Sequence, residues 1–439
     1  MARIPVAAIY LALLFALNVY RAATQSFVID EGYSYELYVG HVPFSLFRQY
    51  DANLHVMHTL LAWGAVKLFG LSELTFRLPS LLGCALYFSG VYRLSGLAFP
   101  DVFRRLMVAI LLTANPLIED HMSVGRGYGL ALGLFAWAFC EAISAVPRLP
   151  WLAVLLALSV GANFTFLFPA AALLAMVAGV LLWKRGASFA TIVRELLGPW
   201  LVLTFLILVM PFSRLEPGAF YYGIADLKTS LQMLIEHSVG GRPLLPILGL
   251  LVFGAGLVAA WVFRRTAIFG GGTFALTFAA VIVAHVVFGV LYPRARTGLY
   301  LVFLLLLCLV PLARWKVGAI ALLVLSATMA QGIRVDRYME WTFDANSRDV
   351  AAAIVAHHPS AAAPVRIACH LPVCQAVRLY TSMWRLGWAD VQDVDTAAQG
   401  FDYYLLTGDV ETEAASRGLR VIYKGPVSGV GLAIPGDTP

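Results

Sequence analysis

Long apolar runs follow one another from the N-terminus to about residue 333, separated by short polar stretches. A run of about 20 apolar residues crosses the hydrocarbon core of a bilayer as an α-helix. The pattern therefore predicts a polytopic α-helical membrane protein with about 11 transmembrane helices. The predicted spans are residues 4–23, 76–97, 105–120, 128–146, 150–162, 164–183, 197–213, 244–263, 271–291, 297–313 and 316–333.

A further apolar stretch, residues 56–71, is shorter and contains His58 and Lys67. If it does not cross, twelve Lys and Arg residues fall in cytoplasmic loops and three in the short outer loops. If it crosses, every later loop changes side, against the preference of basic residues for the cytoplasm. We therefore expect this stretch to lie along the outer interface, after an amphipathic stretch at Tyr33–Tyr50. The N-terminus is then cytoplasmic and the C-terminus external.

From about Arg334 the composition changes to that of a soluble domain. We expect a membrane domain at 1–333 and a small C-terminal α/β domain at 334–439. The tail has no Gly-rich phosphate loop and no nucleophile elbow, so it is expected to support or bind rather than to catalyse. The predicted elements are helices at Asp349–His357 and Gln375–Leu386, and strands at Val365–Cys369, Phe401–Leu406 and Leu419–Tyr423.

The overall composition agrees with a membrane protein, because 60% of the 439 residues are apolar and 13% are charged. Soluble domains carry about 25% charged residues, so a disordered chain and most soluble folds are excluded. The net charge of +6 reflects the cytoplasmic loops, and no basic run with interleaved aromatics indicates nucleic-acid binding. Cys369 and Cys374 can form a local disulfide if the tail faces an oxidising compartment, and this pairing stays open at this point.

Acidic residues are concentrated on one side of the predicted membrane domain. Ten of its thirteen Asp and Glu residues fall on the outer side. Acids at the ends of membrane spans are costly to place near lipid and are often functional. The outer face is therefore where chemistry is expected. The predicted outer loops are residues 24–75, 119–127, 214–243 and 292–297.

Adjacent carboxylates at Asp30 and Glu31 follow the first predicted span. Such a pair can supply a general base, ligands for a metal ion, or the first turn of a capped helix. A second polar group, Asp120 with Arg126 and Tyr128, lies in the loop at 119–127, where glycines flank the arginine. Glycines there allow the backbone to approach a bulky ligand closely.

Two further groups are candidates for binding. Arg294 and Arg296 stand between two predicted spans, where they can clamp a phosphate or contact lipid headgroups. His55 and His58 are three residues apart, so both can face one side of a helix. Together with Asn53 they can contact a substrate or a metal ion, or be ordinary buried polar residues.

These signals occur in the order found in a known family. The chain resembles the GT-C type of membrane-embedded, lipid-sugar-dependent glycosyltransferases, and in particular bacterial relatives of the protein O-mannosyltransferases and of the lipid A aminoarabinose transferase. The resemblance covers about 130 residues of the N-terminal half, with weaker agreement through Arg294–Pro311. The matching residues are Asp30-Glu31, Asn53-Leu54-His55, Leu68-Phe69-Gly70, Ser72-Glu73, Arg77-Leu78-Pro79-Ser80, Asn115-Pro116, Asp120 and Arg126-Gly127-Tyr128-Gly129.

The resemblance implies transfer of a hexose or pentose from a polyprenyl-phosphate donor to an acceptor hydroxyl, with inversion, at the periplasmic face of a bacterial inner membrane. Asp30 would be the base, with Glu31 and Asp120 completing the catalytic set. A divalent ion (Mg²⁺, Mn²⁺ or Zn²⁺) on Asp30, Glu31 and Asp120 is left open. Residues expected to bind substrate are Asn53, His55, His58, Arg126, Tyr128, Arg294 and Arg296.

The implied partners are the lipid-linked donor, a lipid, glycan or protein acceptor, and membrane lipids, but no nucleic acid. Many relatives have His-Pro-Pro where this chain has His55-Val56-Met57, so the detailed shape of the family's acceptor site is not carried over to this chain. A transporter or flippase of polyprenyl-linked glycans is the alternative, but it would place acids within the spans and show internal repeats. A non-catalytic scaffold predicts no concentration of acids and arginines on one face.

Overall fold

The computed structural model divides the chain into two compact units. The first contains residues 1–20, 46–61 and 77–333, and the second contains residues 21–45, 62–76 and 334–439. Two N-terminal stretches therefore belong to the same unit as the C-terminal tail. The residues that the structure describes are 5–42, 50–51, 53–215, 218–219, 221–240, 266–358, 364–370, 372–394 and 398–436.

Helices make up most of the described chain. Up to residue 185 they are α1 Val6–Thr24, α2 Ile29–Leu37, α3 Val56–Phe69, α4 Glu73–Ala98, α5 Val102–Thr113, α6 Pro116–His121, α7 Gly127–Ala142, α8 Leu149–Ala162 and α9 Leu167–Arg185. They continue with α10 Phe189–Ile192, α11 Gly198–Phe212, α12 Leu227–Ser238, α13 Thr266–Phe288, α14 Leu299–Leu309, α15 Lys316–Ala330, α16 Ser347–His357, α17 Cys374–Met383 and α18 Val410–Ser416.

Among the described residues, six helical segments are long and apolar enough to cross a membrane. They match six of the predicted spans, and four shorter apolar helices include the predicted interfacial stretch, observed as Val56–Phe69. The predicted span at 244–263 and residues 43–49 of the amphipathic stretch lie outside the described residues. The count of eleven spans therefore stays a prediction. The six are Val6–Thr24, Glu73–Ala98, Phe164–Trp183, Phe189–Phe212, Phe269–Phe288 and Ala295–Arg314.

The predicted span at 105–120 is two helices, because the chain breaks at Ala114 and Asn115. The Asn115 side chain accepts a hydrogen bond from the backbone N–H of Ile118 at 3.2 Å and caps α6. Pro116 stands at the first position of α6, where its missing N–H costs nothing. Hydropathy alone does not show this break, since the residues around it are apolar.

Glycines allow α4 and α7 of the first unit to pack closely. A Cβ at Gly83 would lie 2.5 Å from the backbone carbon of Gly129, and a Cβ at Gly133 would lie 2.5 Å from the carbonyl oxygen of Gly83. Side chains at these positions would separate the two backbones. The close approach fixes α7, whose first turn carries Tyr128.

The second unit contains a five-stranded sheet, whose strands are β1 Val365–Cys369, β2 Ala389–Asp393, β3 Tyr403–Leu406, β4 Leu419–Lys424 and β5 Gly431–Pro435. The strand order is β2-β1-β3-β5-β4. β1 is parallel to both its neighbours, whereas β5 is antiparallel to β3 and β4. Helix α2 packs on α17, and a Cβ at Gly32 would lie 2.9 Å from the Cβ of Gln375.

A disulfide joins Cys369 at the end of β1 to Cys374 at the start of α17, with their Cα atoms 5.5 Å apart. This settles the pairing that the sequence left open. Helix α2, which carries Asp30 and Glu31, packs on α17. The disulfide therefore constrains the helix that supports these two residues.

Candidate functional site

Asp30 and Glu31 form the first turn of α2 in the second unit, where the helix dipole favours negative charge. Both are buried, with 8% and 0% of their surface exposed. The Glu31 carboxylate accepts the backbone N–H of Val28 at 2.9 Å, so the capping role considered for this pair belongs to Glu31. The Asp30 Oδ2 atom accepts the indole N–H of Trp341 at 3.2 Å.

A third carboxyl group, that of Asp344, lies beside this pair. Its Oδ2 atom accepts the backbone N–H of Ile29 at 2.7 Å, and it is fully buried. Burial raises the pKa of Asp344 well above its usual range; the hydrogen bond from Ile29 opposes this rise, whereas the nearby Asp30 and Glu31 charges add to it. Neither Asp344 nor Trp341 was identified as a site residue from the sequence.

Arg126 and Tyr128 stand at the start of α7 in the first unit. Arg126 is the N-cap residue, with extended backbone, and is 2% exposed. The Tyr128 ring lies between the rings of His55 and His121, at centroid distances of 5.3 and 4.9 Å, in edge-to-face geometry. The structure therefore brings together three residues predicted to bind substrate, and it adds His121.

The His55 imidazole is buried beside Tyr128, and its pKa is shifted by burial and by nearby charges. It is 6% exposed, and its Nε2 atom has no hydrogen-bond partner within the described part of the chain. Burial lowers the pKa of His55 well below its usual range, and the charge of Arg126 lowers it further, with smaller contributions that include Arg296. His55 is therefore neutral at physiological pH, and the charges of Arg126 and Arg296 both act on it.

His58 and Asn53 have local partners. The His58 Nε2 atom lies 3.4 Å from the hydroxyl of Ser80, which donates to the carbonyl of Val124 at 2.6 Å. The Asn53 side chain donates to Asp51 at 2.8 Å, in a turn just before α3. These contacts show how the two residues are positioned and leave their predicted part in substrate binding untested.

Arg294 and Arg296 flank one aromatic ring, that of Tyr222. Their guanidinium carbons lie 5.2 and 4.1 Å from its centroid, and Arg296 also donates to the Tyr222 hydroxyl at 2.9 Å. Cation–π contacts of this kind hold guanidinium planes in place. Tyr222 was missed in the sequence, because a single tyrosine in a loop carries no distinguishing pattern.

Asp120 lies in α6 of the first unit and is 1% exposed. The adjacent Glu119 is fully buried and accepts a hydrogen bond from the side chain of Asn18 at 2.7 Å. Asp120 thus belongs to the unit that holds Arg126, whereas Asp30 and Glu31 belong to the other.

The carboxylates do not form a recognisable metal site. Among the residues that the structure describes, no group of three or more His, Cys, Asp or Glu side chains is placed to hold a metal ion. The Asp30 and Glu31 carboxylates instead accept hydrogen bonds from Trp341 and Val28. The metal ion that the sequence left open is not confirmed, and no step is assigned to a metal.

Comparison with solved structures confirms the predicted fold of the GT-C type, a largely helical chain with a small C-terminal sheet domain. The chain is similar to ArnT from Cupriavidus metallidurans, both in a crystal structure bound to undecaprenyl phosphate and in the apo state. In each case the TM-score is 0.58, the sequence identity is 13%, and 97% of both chains is covered. No family model and no curated protein sequence matches the chain.

Proposed function

We propose that the protein is an inverting glycosyltransferase that moves a sugar from a polyprenyl-phosphate donor to an acceptor hydroxyl. The observation that carries this proposal is the fold shared along 97% of both chains with a protein whose structure holds undecaprenyl phosphate. The ordered motifs of the N-terminal half support the same function.

The arginines of the first unit suit a lipid phosphate. Arg126 and Arg296 both lower the pKa of His55, so their charges act on the same region. Transfer of the sugar leaves negative charge on the lipid phosphate, and fixed positive groups stabilise that charge as it develops. Arginine suits this role because it stays protonated and binds phosphate through two N–H groups.

We assign the role of base to Asp30. The acceptor oxygen attacks the anomeric carbon, its proton passes to the Asp30 carboxylate, and the bond between that carbon and the phosphate oxygen breaks. The leaving polyprenyl phosphate keeps the electron pair. Glu31 holds the turn that carries Asp30, since it caps the backbone N–H of Val28. Asp120 is assigned a contact with substrate because it matches the second acidic position of the family.

We place the reaction at the periplasmic face. The sorting of basic and acidic residues between the predicted loops favours this side. The disulfide between Cys369 and Cys374 supports it independently, because disulfides persist in oxidising compartments. No nucleotide sugar is supplied there, so a donor must arrive attached to a lipid.

The test uses the purified full-length chain in nanodiscs. Undecaprenyl phosphate carrying radiolabelled glucose, mannose or 4-amino-4-deoxyarabinose is offered with a bacterial envelope extract as acceptor. We expect one donor to be consumed and undecaprenyl phosphate to be released. Asp30→Asn should abolish turnover without unfolding the protein, whereas Asp390→Asn, at an exposed position of β2, should not change it.

Two outcomes would contradict the proposal. Undiminished turnover by Asp30→Asn would remove the assigned base. Movement of intact donor across the membrane of proteoliposomes, with no consumption of any donor, would identify a transporter instead. Binding of undecaprenyl phosphate tests the phosphate site separately: Arg296→Gln should weaken it, whereas Arg194→Gln, at an exposed ion pair, should not.

A further inference from the structure

A short segment of the C-terminal tail, Met339–Asp344, contacts the beginning of α2 through two side chains. Trp341 reaches the carboxylate of Asp30, and Asp344 reaches the backbone N–H of Ile29. Both side chains are buried, with 2% and 0% exposure. The segment therefore contacts both Asp30, the residue proposed as base, and the backbone of the turn that carries Asp30.

Backbone and side-chain contacts fix this segment in the second unit. The Ser26 hydroxyl donates to the carbonyl of Ala345 at 2.9 Å, just before α2 begins. The Tyr338 ring packs edge-on against Trp341 at 6.4 Å, and the guanidinium of Arg21 lies 5.1 Å from the Tyr338 centroid. The indole of Trp341 is therefore held in place by neighbouring residues of the tail and by residues that precede α2.

Helix α2 is fixed on its other side as well. Gly32 packs against Gln375 of α17 without room for a side chain, and Glu36 forms an ion pair with Arg378 at 3.1 Å. Since the helix and the indole are both constrained, the N–H of Trp341 meets the Asp30 Oδ2 atom in one geometry. A hydrogen bond from a fixed donor selects one orientation of a carboxylate.

We propose that Trp341 is a positioning residue that orients the Asp30 carboxylate for proton abstraction from the acceptor hydroxyl. This inference rests on the proposed function. It assigns the tail a part in catalysis through Asp30, beyond the supporting or binding role expected from the sequence. Trp341 itself touches neither the donor nor the acceptor in this assignment.

The test compares Trp341→Phe with Trp384→Phe, both in the full-length chain in nanodiscs. Trp341→Phe keeps an aromatic ring but removes the N–H, whereas Trp384 packs on the Tyr380 ring of the same unit at 5.2 Å and serves as control. The donor is whichever undecaprenyl-phosphate sugar the unaltered protein consumes. We expect Trp341→Phe to lower kcat by roughly 10-fold or more, the effect of losing a hydrogen bond to a charged group, with the donor KM changed less than about twofold.

A fall in kcat alone could also come from a loosened fold, so melting temperatures are measured in parallel. If Trp341→Phe melts lower, 3-benzothienylalanine at position 341 replaces the N–H by sulfur and keeps the shape of indole. Unchanged kcat in that variant overturns the inference, and so does an equal loss in Trp384→Phe. An unaltered protein that consumes no donor refutes the proposed function and this inference with it, whereas an active protein indifferent to the N–H refutes the inference alone.

Discussion

Gly127 lies between the two site residues Arg126 and Tyr128, and a methyl group there should damage both fold and function. A Cβ at this position would overlap the backbone carbonyl oxygen of Ala162 and would lie 2.9 Å from the Cβ of His55. A backbone oxygen cannot rotate away as a flexible side chain can. Gly127→Ala therefore forces the start of α7 away from the end of α8.

The size of the effect follows from that overlap. To restore ordinary van der Waals contact the backbones must separate by roughly 1 Å or more, and overpacking of this kind costs about 1–3 kcal/mol. A displacement of about 1 Å of groups that hold a substrate can cost roughly 10²-fold in rate. We therefore expect Gly127→Ala to lower both the melting temperature and the turnover of the donor.

Gly179 supplies the matched control, because it also lies within a helix and a Cβ there would meet no atom within 4 Å. Melting in detergent is followed by intrinsic fluorescence, and binding of undecaprenyl phosphate is measured on the same samples. Gly127→Ala should melt roughly 3–8 °C lower, whereas Gly179→Ala should stay within about 1–2 °C of the unaltered protein. Equal melting and equal binding in Gly127→Ala would refute the reasoning.

Three further perturbations test the packing and electrostatics. The folded-state pKa of His55 is lowered, so the unfolded chain takes up a proton first as the pH drops. The stability of the fold should therefore decrease below about pH 6.5. His55→Gln should reduce this decrease, which is measured as melting temperatures from about pH 8 to pH 5. Replacing Cys369 and Cys374 together by Ser should cost about 2 kcal/mol, the loop entropy of a short bridge, seen as faster proteolysis of the tail in urea; unchanged proteolysis would contradict this. Glu73→Gln removes a carboxylate that accepts a hydrogen bond from Arg348 Nε at 2.8 Å. Because that arginine is one-third exposed, we expect the free energy of unfolding to fall by only about 1–2 kcal/mol, measured by melting in comparison with Arg348→Lys.

The long apolar elements could be predicted from sequence, because their signal is local. Val365–Cys369 is observed with the predicted bounds, and the stretch predicted to lie at the interface is a helix at Val56–Phe69. The strands Ala389–Asp393 and Gly431–Pro435 were missed, as was the helix Val410–Ser416. The first is polar and half exposed, so it has no alternating pattern, and its strand conformation depends on pairing with β1.

The candidate site could be predicted only in part for the same reason. The Asp30-Glu31 pair is visible because adjacent acids after a membrane span are unusual. Trp341 donates to Asp30 from 311 residues further along the chain, and no periodicity connects the two positions. Tyr222 likewise meets Arg294 and Arg296 through the fold alone. Contacts of this kind depend on topology, which hydropathy does not encode.

Residues 21–45 belong to the same unit as the tail, and the tail helps to stabilise the carboxylates that this stretch buries. Burying the Asp30 and Glu31 carboxylates is costly unless donors replace the water that they lose. Val28, the N-cap residue of α2, supplies its backbone N–H, and the nine-residue helix supplies its N-terminal dipole. The segment at 339–344 supplies the indole N–H. A chain ending at residue 333 would lack Trp341 and the helix that supports Gly32. The Asp30 and Glu31 carboxylates can therefore stay buried because the second unit, which includes the tail, supplies hydrogen-bond donors to them.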